Sequence, residues 1–304
     1  MITLNSERGL VDIASWEDVL QLPGFRKDVD PSEHQLDAII GRYMFRDKVN
    51  CGLSSCHQPH GRGYIVTTKA GITTNIGKDC GRKHFGVDFE TTSRKFDRDI
   101  TEKQNRDRLN SFVFSIEDIE SRVNDLRLQP KGADWVYKHT RLLLNANKGC
   151  PEEVVRRLRT MVRTGRNSLS NEREASNSEI EQEEARTGRT IKRPHVVTEH
   201  VADIVGVQAL YPDNDIRALL IDDLATHLSK LSDTNVDALT YNELRKWTTW
   251  LDTVERTLER VEIAISFGRQ LLTSTNLKPF EILLTKRDEK DMFRKFLNTL
   301  STSD

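Results

Sequence analysis

The stretch Asn50–Gly86, NCGLSSCHQPHGRGYIVTTKAGITTNIGKDCGRKHFG, holds three of the chain's four cysteines and three of its eight histidines. Four residues separate Cys51 from Cys56, and three separate Cys80 from His84. A structural zinc ion takes four nitrogen or sulfur ligands in a tetrahedron, usually as two close pairs joined by a longer segment. This spacing supplies two such pairs, and it predicts one structural Zn2+ held by Cys51, Cys56, Cys80 and His84. The competing view, buried apolar cysteines and surface histidines, accounts less well for close pairs at ligand spacing in a chain so poor in cysteine. An iron–sulfur cluster fits less well, because such clusters usually take four cysteines and three lie here.

The residues between the pairs have their own pattern. GYIVTT is β-branched and aromatic, KAG marks a turn, and ITTNIG is again β-prone, which together predict a β-hairpin. KDCGRKHFG then opens a helix on which Cys80 and His84, at i and i+4, share a face. The positive end of that helix favours a Cys80 thiolate.

A knuckle, a hairpin and a helix carrying the second pair resemble a treble-clef zinc finger over residues 50–86. Cys56 and His60 form another Cys-x3-His pair, so His60 stands as an alternate ligand to Cys51. His57 adjoins Cys56 and is less suited. A catalytic zinc keeps one open position beside a carboxylate base. Asp79 is the only carboxylate between Cys51 and Gly86, so a closed structural site is favoured.

Two stretches come close to other motifs. GITTNIGKD lacks the glycine spacing of a phosphate loop and has Asp79 where a hydroxyl is required, so no nucleotide is expected. HVVTEH has three residues between His195 and Glu199 instead of the two of an inverted zinc-protease motif. Thr198 is expected there as the N-cap of a helix.

Outward from the cysteine stretch, the 304 residues are 31% charged and 36% hydrophobic, with a formal net charge of -1. Such a chain is not a basic nucleic-acid coat, so any phosphate contact has to come from a local patch. Lys69, Lys78, Arg82 and Lys83 make the zinc segment locally basic. PEEVVRRLRTMVRTGR adds Arg156, Arg157 and Arg163 on one predicted helix, where arginine suits phosphate but a solvated face is the plainer account. Neither a secretion signal nor an apolar run of membrane length is evident, so a cytoplasmic protein with reduced thiols and no membrane partner is expected.

The remaining pattern is helical. Ser15 is expected to cap WEDVLQL, and DPSEHQLDAII to begin a helix at Ser32. RYMFRDKV is expected to be a strand leading into the metal site. Leu109, Phe112, Ile116, Ile119, Val123 and Leu126 form one 3–4 stripe. Leu244, Trp247, Leu251, Val254, Leu258, Val261 and Ile265 form another, behind a Thr240–Glu243 capping box. The fold class expected is mainly α, with a small α+β zinc-binding module on the N-terminal side followed by helical bundle and coiled-coil regions. The divisions expected are 1–90 for the lead-in and zinc module, 91–167 helical, 168–195 a charged linker or exposed helix, and 196–304 a C-terminal helical bundle.

Three functions compete. The first is a non-enzymatic, zinc-stabilised accessory protein that binds nucleic acid through a local basic surface. The second is a scaffold that docks a protein partner, or a second copy of itself, through helical seams. The third, an enzyme, is least favoured because no catalytic motif is evident.

Overall fold

The computed structural model describes residues 2–6, 9–146 and 148–301. The chain forms two compact units. The first comprises the residues up to Ser111 together with Asn235–Thr248, and the second comprises Phe112–Thr234 together with Thr249 onward.

The first unit is built on a five-stranded antiparallel sheet of order β2-β1-β3-β4-β5. Its strands are β1 (Ile2–Ser6), β2 (Gly9–Ile13), β3 (Leu36–Asn50), β4 (Pro59–Thr68) and β5 (Thr73–Gly77), with the short helix α1 (Trp16–Leu20) after β2. Both faces of the sheet are covered. Tyr64, Val66, Ile76 and Ile39 pack on one side with Phe89, Phe96 and Ile100 of α2 (Lys78–Val113). Ile2, Leu4, Tyr43 and Ile65 pack on the other with Val19 and Trp16. β3 stays in phase with both cores because a bulge between Ile39 and Gly41 shifts its alternation by one residue.

The expected mainly α, coiled-coil fold is therefore corrected to α+β. The sharpest departure is at DPSEHQLDAII, expected as a helix. Asp30 Oδ1 accepts from the Ser32 amide at 2.8 Å, closing an Asx turn, and the apolar residues that follow enter β3. Ser15, by contrast, caps α1 as expected, and does so through a capping box with Asp18. RYMFRDKV lies within β3 as expected.

Helices dominate the second unit. α3 (Ile116–Leu128), α4 (Ala133–Leu143) and α5 (Glu152–Thr164) precede a two-stranded excursion made of β6 (Ser168–Glu174), α6 (Asn177–Thr187) and β7 (Val196–Asp203). Thr198 lies inside β7 and so is not the N-cap expected of it. A π-helical segment, Ala218–Ala225, runs into α7 (Thr226–Ser232). After α8 (Tyr241–Leu251), whose first residues belong to the first unit, come α9 (Val254–Leu271), α10 (Ser274–Leu277) and α11 (Arg287–Ser301).

Neither 3–4 stripe forms a continuous coiled-coil helix. The first breaks between α2 and α3, where the Ser115 amide bonds Phe112 O and Phe114 is 89% exposed. The second breaks between α8 and α9, where the Thr253 amide bonds Trp250 O. Beyond that break Val254, Leu258, Val261 and Ile265 are buried within the chain itself.

Phe89 is fully buried, edge-on to Tyr64 at 5.4 Å between ring centres. Phe89→Ala is expected to cost about 3–5 kcal/mol in urea unfolding, the range for an aromatic cavity. Phe114→Ala, at an exposed position, is expected to change stability by no more than about 0.5 kcal/mol. Equal effects at the two sites would contradict this account of the core.

Candidate metal centre

The cysteines are brought together by three short pieces of local structure. The chain leaves β3 at Asn50 and reverses through CGLSSCHQ. There the Cys51 amide bonds Gln58 O at 3.1 Å, the Cys56 amide bonds Leu53 O at 3.1 Å, and His57 adopts a left-handed φ of 54°. Gly52 lies against β5, with its amide 2.8 Å from Asn75 O, and a Cβ there would overlap the Thr74 hydroxyl. The β4–β5 hairpin then returns the chain to the knuckle, as the alternation predicts. Its turn closes through Gly71, with φ 76° and its amide 2.8 Å from Thr68 O. α2 begins at Lys78 and puts Cys80 in its first turn.

The Sγ atoms of Cys51, Cys56 and Cys80 consequently all lie within 4.8 Å of one another, a group that can hold a metal ion. Cys56 and Cys80 are 3.1 Å apart, well beyond the 2.03–2.05 Å of a disulfide, and all three cysteines are free. Backbone amides support the sulfurs. Those of Leu53 and Gly77 donate to Cys51, and that of Gln58 donates to Cys56. Amide–sulfur bonds of this kind favour thiolate, the form that binds metal.

The thiols are unequal. Hydrogen bonds, first from the Gln58 amide and then from Cys80, hold Cys56 below the usual thiol value. Burial raises Cys51, and burial reinforced by the bond with Cys56 pushes Cys80 up to about 12. Without a cation, Cys56 is the most readily ionised of the three. A divalent ion offsets that inequality, which is the chemical sense in which the donor set fits a soft or borderline metal.

His84 lies one helical turn beyond Cys80. It is half-buried, with Nε2 3.5 Å from the hydroxyl of Ser55, the neighbour of Cys56, and it lies outside the three-sulfur group. His60 is placed differently. Its Nδ1 donates to Gln58 O at 3.1 Å and its Nε2 accepts from the Tyr43 hydroxyl at 2.5 Å. Both ring nitrogens are thereby engaged. His57 faces Asp28 at 3.1 Å. The Tyr43 hydroxyl also accepts from Asn75 Nδ2 at 3.2 Å, and the same nitrogen donates to Asn50 O at 2.9 Å. This buried polar link behind the knuckle has no short-range signature in the sequence.

The basic candidates separate into engaged and free side chains. Lys69 donates to Gln35 Oε1 at 3.0 Å and Arg82 pairs with Glu90 at 3.0 Å. Lys78 and Lys83 are exposed, with no ionic partner among the described residues. On α5, Arg156 pairs with Glu153, Arg157 donates to Ser170 O at 2.8 Å, and Arg163 is exposed beside Arg159. The other α5 face is apolar and buried through Val154, Val155, Leu158 and Met161. Among the described residues, no helix is long and apolar enough to cross a membrane. The chain matches no protein-family model, no curated protein and no solved structure.

Thiol reactivity follows thiolate fraction and access. In metal-free protein near neutral pH, iodoacetamide is expected to modify Cys56 first and Cys51 and Cys80 more slowly. Cys150 is fully buried, and burial raises its pKa to about 12, so it is expected to react only on unfolding. Peptide mass spectrometry over time gives the order, and native-state labelling of Cys150 as fast as Cys56 would contradict it.

Proposed function

We propose that this protein is a zinc-stabilised, non-enzymatic accessory factor that binds nucleic-acid phosphate through the cationic start of its metal-anchored helix. The observation that carries the reading is the convergence of Cys51, Cys56 and Cys80 from a knuckle and a helix start onto one point. Zinc suits three thiolates and completes its tetrahedron with a nitrogen. His84 is the fourth ligand in this reading, supported by its place one turn after Cys80 and beside Ser55. The treble-clef resemblance rests on the order of knuckle, hairpin and helix. Zinc then acts as a staple for the first unit, with no open position for substrate.

Lys78 and Lys83 flank Cys80 on the helix that the ion fixes, so the charges that meet phosphate are placed by the metal. Contacts of this kind hold a strand without reading its sequence. The scaffold reading is favoured by a different observation. Phe114 and Leu128, 89% and 76% exposed, are apolar side chains suited to a protein partner.

Elemental analysis of purified protein is expected to find about one zinc per chain. Cys80→Ser is expected to lose it, and His84→Ala to release it to a chelator at least about tenfold more readily. Wild-type retention in His84→Ala would remove His84 from the site. Affinity for a mixed-sequence oligonucleotide is expected to fall with salt along a log–log slope of about -0.9 per phosphate neutralised on a duplex. A slope near zero would defeat the phosphate reading and leave the scaffold.

A further inference from the structure

The sheet face covered by α2 ends in charge. Alternation along β4 sends Tyr64 and Val66 into the core and puts Arg62 on the same face. On β3, Arg42 stands opposite Tyr64, and Met44 stands opposite Arg62. On β5, Ile76 stands opposite Tyr64, and Lys78 follows two residues later. A cavity of about 280 Å³ is lined by Arg42, Met44, Arg62, Gly63, Tyr64 and Lys78.

The charges within it are unevenly matched. Asp97, reaching across from α2, pairs with Arg42 at 3.0 Å, and its second oxygen accepts from the Tyr64 hydroxyl at 2.7 Å. That carboxylate is therefore committed to holding Arg42 and Tyr64 in place. Arg62 and Lys78 also line the cavity, are exposed, and have no ionic partner among the described residues. Three cations and one carboxylate leave an excess of two positive charges around a small concave space. The space is near the lower end of the range for small-molecule pockets, suited to a phosphate with part of one adjoining nucleoside.

We propose that this Arg42–Arg62–Lys78 cavity is a phosphate-binding seat. The guanidinium of Arg62 meets the oxyanion through its planar fork, Lys78 contributes a point charge, and Arg42 is pre-positioned by Asp97. Nothing in the cavity distinguishes one base from another. The chemistry is that of a phosphate oxyanion, and two sources can supply it: a diester within a strand, or a terminal or free phosphate. The assignment to a strand diester rests on the nucleic-acid reading above, while the seat itself does not.

The test uses zinc-loaded, full-length protein and three variants: Arg62→Gln, Lys78→Gln, and Lys27→Gln as an equal charge change elsewhere in the first unit. In the first arm, inorganic pyrophosphate is titrated against backbone amide signals. Saturable shifts of Gly63 and Tyr64 that Arg62→Gln removes are expected. In the second arm, a twelve-nucleotide single strand is titrated with and without a 5′-phosphate. Arg62→Gln and Lys78→Gln are each expected to weaken binding about fivefold on both strands and to reduce the salt slope by about one, with Lys27→Gln within about twofold of wild type.

Loss confined to the 5′-phosphorylated strand would overturn the diester and assign the seat to a terminal phosphate. Strand binding by wild type that Arg62→Gln and Lys78→Gln leave no weaker than Lys27→Gln does, without pyrophosphate shifts at Gly63, would overturn the seat and remove Lys78 from the nucleic-acid reading, while sparing strand binding itself. Pyrophosphate shifts at Gly63 without strand binding by wild type would reject the nucleic-acid reading and uphold the seat.

Discussion

Three sulfur atoms from two distant stretches of chain have to meet at one point, and the first unit is arranged around that meeting. Cys56 and Cys80 are 24 positions apart and 3.1 Å apart in space. The hairpin between them makes this geometrically possible, because pairing Gly63 with Gly77 returns β5 along β4 toward the knuckle. A one-residue slip in that register would reverse the faces of Tyr64 and Ile76, and it would also displace Cys80 from the knuckle. Core and donor set are thus subject to the same constraint. Burial above all raises Cys51 and Cys80, while hydrogen bonds from the Gln58 amide and Cys80 lower Cys56, so the meeting point holds one readily ionised thiol and two reluctant ones.

Local signals in the sequence were reliable where local forces decide the outcome. The hairpin, the helix start at Lys78, and the capping boxes at Ser15 and Thr240 all involve partners a few residues apart. The failures came where one local signal serves two structures. Ser32 after Asp30 fits a helix N-cap, but its amide completes an Asx turn that leads into a strand. β6 is polar, and β7 lacks strict apolar alternation. They are joined through long-range pairing, and Arg173 on β6 bridges Glu179 of α6 and Glu199 of β7. The 3–4 stripes marked buried and half-buried residues, yet periodicity does not register the single turns at Ser115 and Thr253 that divide each stripe between two helices.

The same distinction holds at the candidate site. Cys51, Cys56 and Cys80 were legible from spacing alone. His60 shares with His84 the Cys-x3-His spacing, but both of its ring nitrogens are engaged, by Gln58 O and the Tyr43 hydroxyl. Between Cys56 and His60 the chain is a knuckle and the start of a strand, and the imidazole turns to Tyr43. Arg42 and Arg62 have no joint signature in the sequence because they are twenty positions apart in a charge-rich chain, and only sheet register places them on the same face.

Gly86 interrupts α2 with φ 53° and ψ -133°, and Phe89 folds back so that its ring lies where a Cβ on Gly81 would be. Helical order propagates along a chain only while successive residues keep helical dihedrals. The eight residues that carry Cys80 and His84 are thus a separate cooperative segment, insulated from the longer arm that supplies Phe96 and Ile100 to the core. Order imposed on that segment by an ion travels into the rest of the unit through the Phe89 ring and the hairpin, and not along the helix axis. Such an arrangement couples the knuckle to the core by side-chain packing and not by a continuous helix.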